Sequence, residues 1–349
     1  MWCDRPGRKA IVEIITAADK MSATPHYSAM NVSELSTNLL NGDIKALARA
    51  ISWVENDDSR APEVLKNAFV KGRDIPIIGI TGPAGVGKSS LTDQLIAFYR
   101  SQNKKVGVVA VDPSSPFTGG AILGDRIRMQ RHYIDKGVFI RSMATRGKLG
   151  GIAATTFDVI DLINAAGYDT ILIETVGVGQ DEVDIVKIAH TTVVVLMPGL
   201  GDEVQAMKAG LMEIADLLVV NKSDRPEAEK MEAELQASLN LYQSTSNWQT
   251  PILKTVATSN IGVDALAQSI ETHQNYLRSS GMLQEKLLNQ SRQRLIDSLE
   301  YQITTRIIEE GVEKFGVSKK ISDIASRKTD PRSVVLELLE HFQLSRDNK

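Results

Sequence analysis

The sequence predicts an α/β protein with a doubly wound, mainly parallel sheet, flanked by helical segments at its N- and C-terminal ends. Three observations carry this. Between residues 74 and 279, short apolar runs of strand length alternate with stretches of helical periodicity. The run Gly82-Pro83-Ala84-Gly85-Val86-Gly87-Lys88-Ser89 stands between the first apolar run and the first amphipathic stretch. Residues 31–70 and 281–349 carry helical patterning outside that zone. The chain has 349 residues, enough for one large or two modest domains, since single cores stop growing at roughly 250–300 residues.

The first thirty residues carry Arg5, Arg8 and Lys9 ahead of Ile11-Val12-Glu13-Ile14-Ile15. That apolar run is too short and interrupted for a secretory signal. Asp4, Glu13 and Asp19 argue against a mitochondrial transit peptide, which would direct the chain to the matrix. Residues 1–30 are expected to be a disordered or extraneous extension, with Met21 or Met30 as an alternative start. Residues 31–72 form a helical module. Asn41-Gly42-Asp43 makes a turn and an N-cap, and Ile44, Leu47, Ala48, Ile51 and Val54 follow at helical spacing. Ser59-Arg60-Ala61-Pro62 opens a second helix carrying Val64, Leu65 and Phe69.

Strands are expected over residues 75–81, 105–111, 138–142, 170–175, 191–197, 217–220 and 252–256, and a helix over 90–100 with Leu91, Leu95 and Phe98 on one face. Ligands of such sheets bind outside the carboxyl ends of the strands, where the motifs below fall. Composition narrows the function. The net charge is −3 with both signs interspersed, so no nucleic-acid surface is expected. Cys3 is the single cysteine, which excludes a disulfide framework or cysteine-based metal site within one chain and fits a reducing, cytoplasmic compartment. No apolar run approaches the ~18 residues of a membrane span, so no membrane partner is expected.

Residues 82–89 match G-x-x-x-x-G-K-[ST] without a mismatch, in the strand–loop–helix setting that separates a phosphate loop from chance. The fold class is therefore that of the P-loop NTPases. Backbone N–H groups of Gly82, Pro83, Ala84, Gly85, Val86, Gly87, Lys88, Ser89 and Ser90 are the candidate phosphate cradle, proline contributing backbone shape but no donor. Lys88 would reach the β- and γ-phosphates and Ser89 would ligate Mg²⁺. Asn221-Lys222-Ser223-Asp224 follows a strand well downstream. Asp224 can accept from both the ring N–H and the amine of guanine, a donor pair that adenine lacks. Asn221 offers a polar contact and the stem of Lys222 can cover the ring, so the expected ligand is GTP or GDP. The same four residues elsewhere would be a turn and N-cap. Val256-Ala257-Thr258 closes the last strand, where backbone N–H groups would reach the guanine carbonyl.

Glu174 ends an apolar strand with Gly177 three residues later, the pattern of an acid near Mg²⁺ followed by a γ-phosphate sensor. Asp112 and Asp125 flank a Pro-, Ser- and Gly-rich loop and complete the candidate metal set.

Together these runs resemble the MeaB/ArgK/MMAA family of GTPases over roughly residues 31–280. The resemblance is carried by residues 111–115, 118–120, 123–126, 143–147 and 149–151, by Glu174-Thr175-Val176-Gly177-Val178-Gly179-Gln180, and by Pro198-Gly199-Leu200-Gly201-Asp202-Glu203. It implies a chaperone of adenosylcobalamin-dependent acyl-CoA mutases, chiefly methylmalonyl-CoA mutase, that gates cofactor loading and release according to bound GTP or GDP. It leaves the cobalamin adenosyltransferase open as a second partner. Residues 73–280 then form the GTPase domain, and 281–349 are a candidate dimerisation arm of a homodimer, although residues 328–342 depart from the family's usual ending. By the same resemblance Asp112, Asp125 and Glu174 surround Mg²⁺. Lys208 swings toward the nucleotide when the partner docks, and joins Lys88 and Gln180 in the candidate catalytic set. Arg146 is either a switch residue or a structural ion-pair partner. Three alternatives fit the sequence less well. An ATP-dependent kinase of a transport component needs ATP selection, which Asn221 to Asp224 opposes. A metallochaperone GTPase needs a Cys/His cluster that the scattered histidines do not make. A protein-targeting GTPase needs a Met-rich helical domain.

Overall fold

A computed structural model describes residues 31–112, 129–132, 134–144, 151–175, 185–199, 210–241, 248–314 and 316–341. The chain enters through three helices, α1 (Val32–Leu40), α2 (Ile44–Glu55) and α3 (Ala61–Phe69). The turn before α2 works as its residues suggest: Asp43 Oδ1 accepts from Ala46 N–H at 2.7 Å, capping the first turn. Pro62 sits in the first turn of α3, where its missing N–H has no intrahelical partner to lose.

Seven strands follow: β1 (Ile77–Thr81), β2 (Val106–Asp112), β3 (Val138–Ala144), β4 (Thr170–Thr175), β5 (Thr191–Leu196), β6 (Leu217–Asn221) and β7 (Ile252–Thr255). They make one sheet in the order β3-β2-β4-β1-β5-β6-β7, every named pair parallel. All seven expected strands are present, with shifted ends. β1 starts two residues late because Pro76 has no N–H to give the ladder. β2 runs one residue further than expected, so that Asp112 belongs to the strand itself.

Helices cover both faces. Among the described residues they include α4 (Lys88–Ser101), α5 (Gly151–Ala165) and α6 (Ala228–Leu241) between strands and α7 (Val263–Ser279) after β7. Alternation along β4 shows the two-sided burial: Ile171 and Ile173 join the core under α5, whereas Leu172 joins the core under α4 and α7. Leu47 and Ile51 of α2 lie in the same cluster as Val109 and Ile171, so the N-terminal helices and the sheet share one core. β5 divides likewise, Val193 and Val195 facing α4 and α7, Val194 and Leu196 facing α6.

Gly281, at φ 76°, breaks the chain between α7 and a 33-residue helix, α8 (Met282–Lys314). Two shorter helices complete the C-terminal part, α9 (Val317–Ala325) and α10 (Pro331–His341). Arg294 fixes α8 to α5 by reaching Asp158 and Asp161, each at 2.7 Å. On either side of that anchor α8 carries Leu288, Leu295, Leu299 and Ile303 exposed at helical spacing.

Candidate functional site

β1 lies between β4 and β5, the point where the chain, having wound to one side of the sheet, returns and continues on the other. That arrangement opens a crevice at the carboxyl end of β1, and the phosphate loop occupies it. Gly82, Gly85 and Gly87 have φ of 139°, 79° and 99°, which disfavour residues with a Cβ. Space sets the same limit. A Cβ on Gly82 would meet the Val195 carbonyl, and one on Gly87 would meet the Asn221 side-chain amide. Gly87 is also the residue from which α4 starts, which explains why the helix begins at Lys88 rather than at 90. Val86 is fully buried and pins the loop into the core below. The loop therefore combines glycine backbone with a helix N-terminus, the two sources of positive potential that phosphate binding uses. The Lys88 ammonium stays inside this cradle, donating to the carbonyls of Gly82 at 2.6 Å and Pro83 at 3.0 Å.

Ser89 and Glu174 meet from different elements. The Ser89 hydroxyl, in the first turn of α4, donates to Glu174 Oε1 at 2.5 Å, and both residues are buried. Glu174 is brought there by strand register, its Cα pairing Ile80 on one side and Ala110 on the other. Next to it the Thr175 hydroxyl donates to Thr81 Oγ1 at 3.0 Å, joining the ends of β4 and β1. A hydroxyl and a carboxylate converging beside a phosphate cradle are hard oxygen donors, and this set fits Mg²⁺. Asp112 ends β2 one residue past Val111, which is in register with Thr175. The Asp112 side chain, Asp125, Gln180, Lys208 and Arg146 lie outside the described residues.

The base-reading run folds around one amide. Asn221 ends β6 and is buried. Its Nδ2 donates to the Val86 carbonyl at 2.8 Å, and its Oδ1 accepts from the Thr255 hydroxyl at 3.0 Å and Ala257 N–H at 3.1 Å. Asn221 thus clamps the phosphate loop to the end of β7. Because an amide has two N–H donors, one remains for a base. This modifies two expectations. Asn221 is first a clamp, with only part of its hydrogen-bonding capacity left for a base contact. Of the Val256-Ala257-Thr258 backbone donors, Val256 N–H is taken by the Ile261 carbonyl and Ala257 N–H by Asn221, which leaves Thr258. Lys222, at φ 56°, reaches back to the Gly85 carbonyl at 2.8 Å, so its stem runs along the rim of the loop. Asp224 is exposed, and its carboxylate has no partner among the described residues. Sequence reading missed Thr255. A buried hydroxyl at the last position of an apolar strand was the one available signal.

A family model described as "Methylmalonyl Co-A mutase-associated GTPase MeaB" matches residues 47–312. The chain belongs to the MeaB family of GTPases. A putative GTPase of Pyrococcus horikoshii is 47% identical over 88% of this chain and 98% of its own length. GTPase ArgK of Escherichia coli is 30% identical over 89% and 97%. The mitochondrial methylmalonic aciduria type A homolog of Mus musculus is 34% identical over 75% and 67%. Among solved structures, an LAO/AO transport system kinase superposes with a TM-score of 0.68 at 24% identity, covering 90% of this chain and 100% of that one, a likeness of fold. As a MeaB-family protein the chain has the P-loop GTPase fold expected from its sequence. No described helix is long and apolar enough to cross a membrane.

Proposed function

We propose that this protein is a Mg²⁺-dependent GTP hydrolase that gates adenosylcobalamin loading and protects an acyl-CoA mutase, most directly methylmalonyl-CoA mutase. The observation that carries the GTPase part is the Asn221 clamp, which ties a complete phosphate loop to the residues that would read guanine. The mutase partner is supported by the family's description.

In this reading the loop amides and Lys88 hold the phosphates, and the ammonium exchanges the Gly82 and Pro83 carbonyls for phosphate oxygens. Ser89 and Glu174 would hold Mg²⁺, with Asp112 and Asp125 completing the set, and the ion supplies charge neutralisation on the phosphates. Asp224 accepts from the guanine edge, and the Thr258 N–H and the remaining Asn221 N–H are placed for its other polar atoms. Gln180 and Lys208 carry the switch and partner-dependent roles, and turnover without the partner is slow. The exposed Leu288, Leu295, Leu299 and Ile303 stripe on α8 supports a homodimer through the C-terminal arm.

The test is phosphate release under saturating nucleotide and Mg²⁺, with GTP, ATP and XTP, alone and with methylmalonyl-CoA mutase. GTP-selective turnover that the mutase accelerates is the expected result; ATP turnover that ignores the mutase overturns it. Asp224→Asn is expected to move preference from GTP toward XTP, because xanthine presents an acceptor where guanine presents its amine. An unchanged GTP preference would remove Asp224 from base reading.

A further inference from the structure

β1 carries a glycine where a central strand has no backbone need of one. Gly79 stands between Ile78 and Ile80 and is not among the glycines with positive φ. Space is what requires it. A Cβ there would lie 2.7 and 2.8 Å from Ile185 Cγ1 and Cδ1, and 2.9 Å from Ala189 Cβ. The isoleucine atoms can swing aside, but Ala189 Cβ is carried directly on backbone, so the backbone there would have to retreat. A glycine inside a strand marks such a close approach. The segment that approaches is the 3₁₀ turn Ile185–Lys187 and the residues that lead from it into β5. It is tied down on arrival: Ala189 N–H donates to the Ile185 carbonyl and His190 N–H to the Ile77 carbonyl, each at 2.8 Å.

Strand alternation puts Gly79 and Thr81 on one face of β1, with Ile78 and Ile80 on the other, in the core under α4 and α7. Thr81 receives the Thr175 hydroxyl at 3.0 Å. Both threonines are buried, where valine would fill the same space with no hydroxyl to satisfy. Thr175 and Ile185 bracket residues 176–184, and both seat on the same face of β1, at positions about 7 Å apart along the strand. β1 then runs directly into the phosphate loop at Gly82.

We propose that Gly79, Thr81, Thr175 and Ile185 are positioning residues for GTP hydrolysis: through them β1 sets where the bracketed run, with Gly177 and Gln180, stands relative to the phosphate loop. The proposal rests on the GTPase reading above and gives one face of β1 a part in it. None of the four is asked to touch nucleotide. The phosphate cradle and the base-reading turn are held by other contacts, those of Lys88 and Asn221. Disturbing the β1 face therefore acts on the step that uses the γ-phosphate and spares the binding of GDP, since misplacing a positioned group costs rate before it costs affinity.

The test compares the full chain with Thr175→Val, Thr175→Ser and Gly79→Ala, and with Leu47→Ala, which removes apolar volume from α2 in the core cluster that also holds Ile185. Three quantities are measured: kcat at saturating GTP and Mg²⁺, with and without methylmalonyl-CoA mutase; GDP affinity; and the ratio of affinities for a non-hydrolysable GTP analogue and GDP. Thr175→Val is expected to lower kcat about tenfold and to lower the affinity ratio, with GDP affinity within about twofold of wild type. Thr175→Ser, which keeps the hydroxyl, should restore both, and Gly79→Ala should lower kcat at least as far as Thr175→Val. Leu47→Ala should lose stability in urea and keep its kcat. Should Gly79→Ala fail to fold, the two Thr175 variants decide. The proposal is refuted, and the GTPase reading stands, if Thr175→Val turns over like wild type, if its GDP affinity falls in step with kcat, or if Leu47→Ala slows turnover as much. If the wild-type chain hydrolyses no GTP in either condition, the GTPase reading falls and takes the proposal with it.

Discussion

Removing the Asn221 amide is the sharpest perturbation the structure offers. Asn221→Ala would strand three buried groups at once: the Val86 carbonyl, the Thr255 hydroxyl and the Ala257 N–H. Thr255 is 0% exposed and Ala257 2%, so water has little access to replace what is lost. A buried polar group left without a partner costs about 1–3 kcal/mol, and the hydroxyl can rotate toward another acceptor, so we expect a total of about 3–5 kcal/mol. Thr255→Val tests the same network more gently. It removes one donor, while Asn221 Oδ1 keeps Ala257 N–H, for a loss of about 1 kcal/mol. Urea unfolding without nucleotide measures both, and the double variant should fall short of the sum, because Thr255 has nothing to donate to once Asn221 is gone. The Asn221 variant should also weaken binding of GDP and of inorganic triphosphate, since it unties the phosphate loop from β7. If Asn221→Ala destabilises by less than about 1 kcal/mol, or if the two losses simply add, the amide is not a clamp and the argument fails.

Two further predictions concern groups away from the crevice. His190 is buried and its pKa is lowered to about 4, chiefly by desolvation, with Lys286 adding to the effect. The unfolded chain therefore binds the extra proton between about pH 6.5 and 4 and the folded chain does not. Stability is unaffected above that window and falls as pH drops through it, by up to about 3 kcal/mol. Burial raises the pKa of Asp158 and Asp161, which acts in the opposite direction on acidification, so the readout is the difference between wild type and His190→Gln in urea melts from pH 7 to 4. A difference that does not change with pH would refute it. Arg294→Ala should destabilise by about 2–4 kcal/mol, toward the lower side of buried-pair values because the side chains retain some exposure, by leaving Asp158 and Asp161 facing each other without a cation. Limited proteolysis should then cut within α8 earlier than in wild type, and an unchanged cleavage pattern would contradict the anchor.

The strands were legible because they are buried on both faces and read as continuous apolar runs, 191–196 and 217–220 most plainly. The phosphate loop was legible because its glycines are required by φ, and Gly82 and Gly87 by space as well. Strand order was not legible, because which strand neighbours β1 depends on crossovers that local sequence does not encode. The Asn221 clamp was half legible. Its position after β6 was evident, but its partners Val86 and Thr255 are brought to it only by the parallel register of β6 with β7 and by the closeness of β1 and β5. The extent of the C-terminal helices departed from expectation for a simpler reason. Residues 281–349 carry helical patterning without marked boundaries, and Gly316 at φ 60° and the turn before Pro331 divide the described part into separate helices.

The described part of the crevice is held together at its strand ends. Three candidate site contacts are hydrogen bonds at strand ends: Asn221 to Val86, Thr175 to Thr81, and Ser89 to Glu174. One bond joins two strands, one a strand and the loop, and one a strand and the first turn of α4, so the three together fix the phosphate loop, the candidate metal donors and the candidate base-reading turn relative to one another. In the proposed function a γ-phosphate then has little to reorganise in the cradle itself. Thr175 is the last described residue before the run that carries Gly177 and Gln180. The Thr175 hydroxyl, donating to Thr81 Oγ1 at 3.0 Å, fixes that end of β4 to the strand that leads into the phosphate loop. A nucleotide sensor needs a rigid origin against which the phosphate is measured, and hydrogen bonds between strand ends are of that kind.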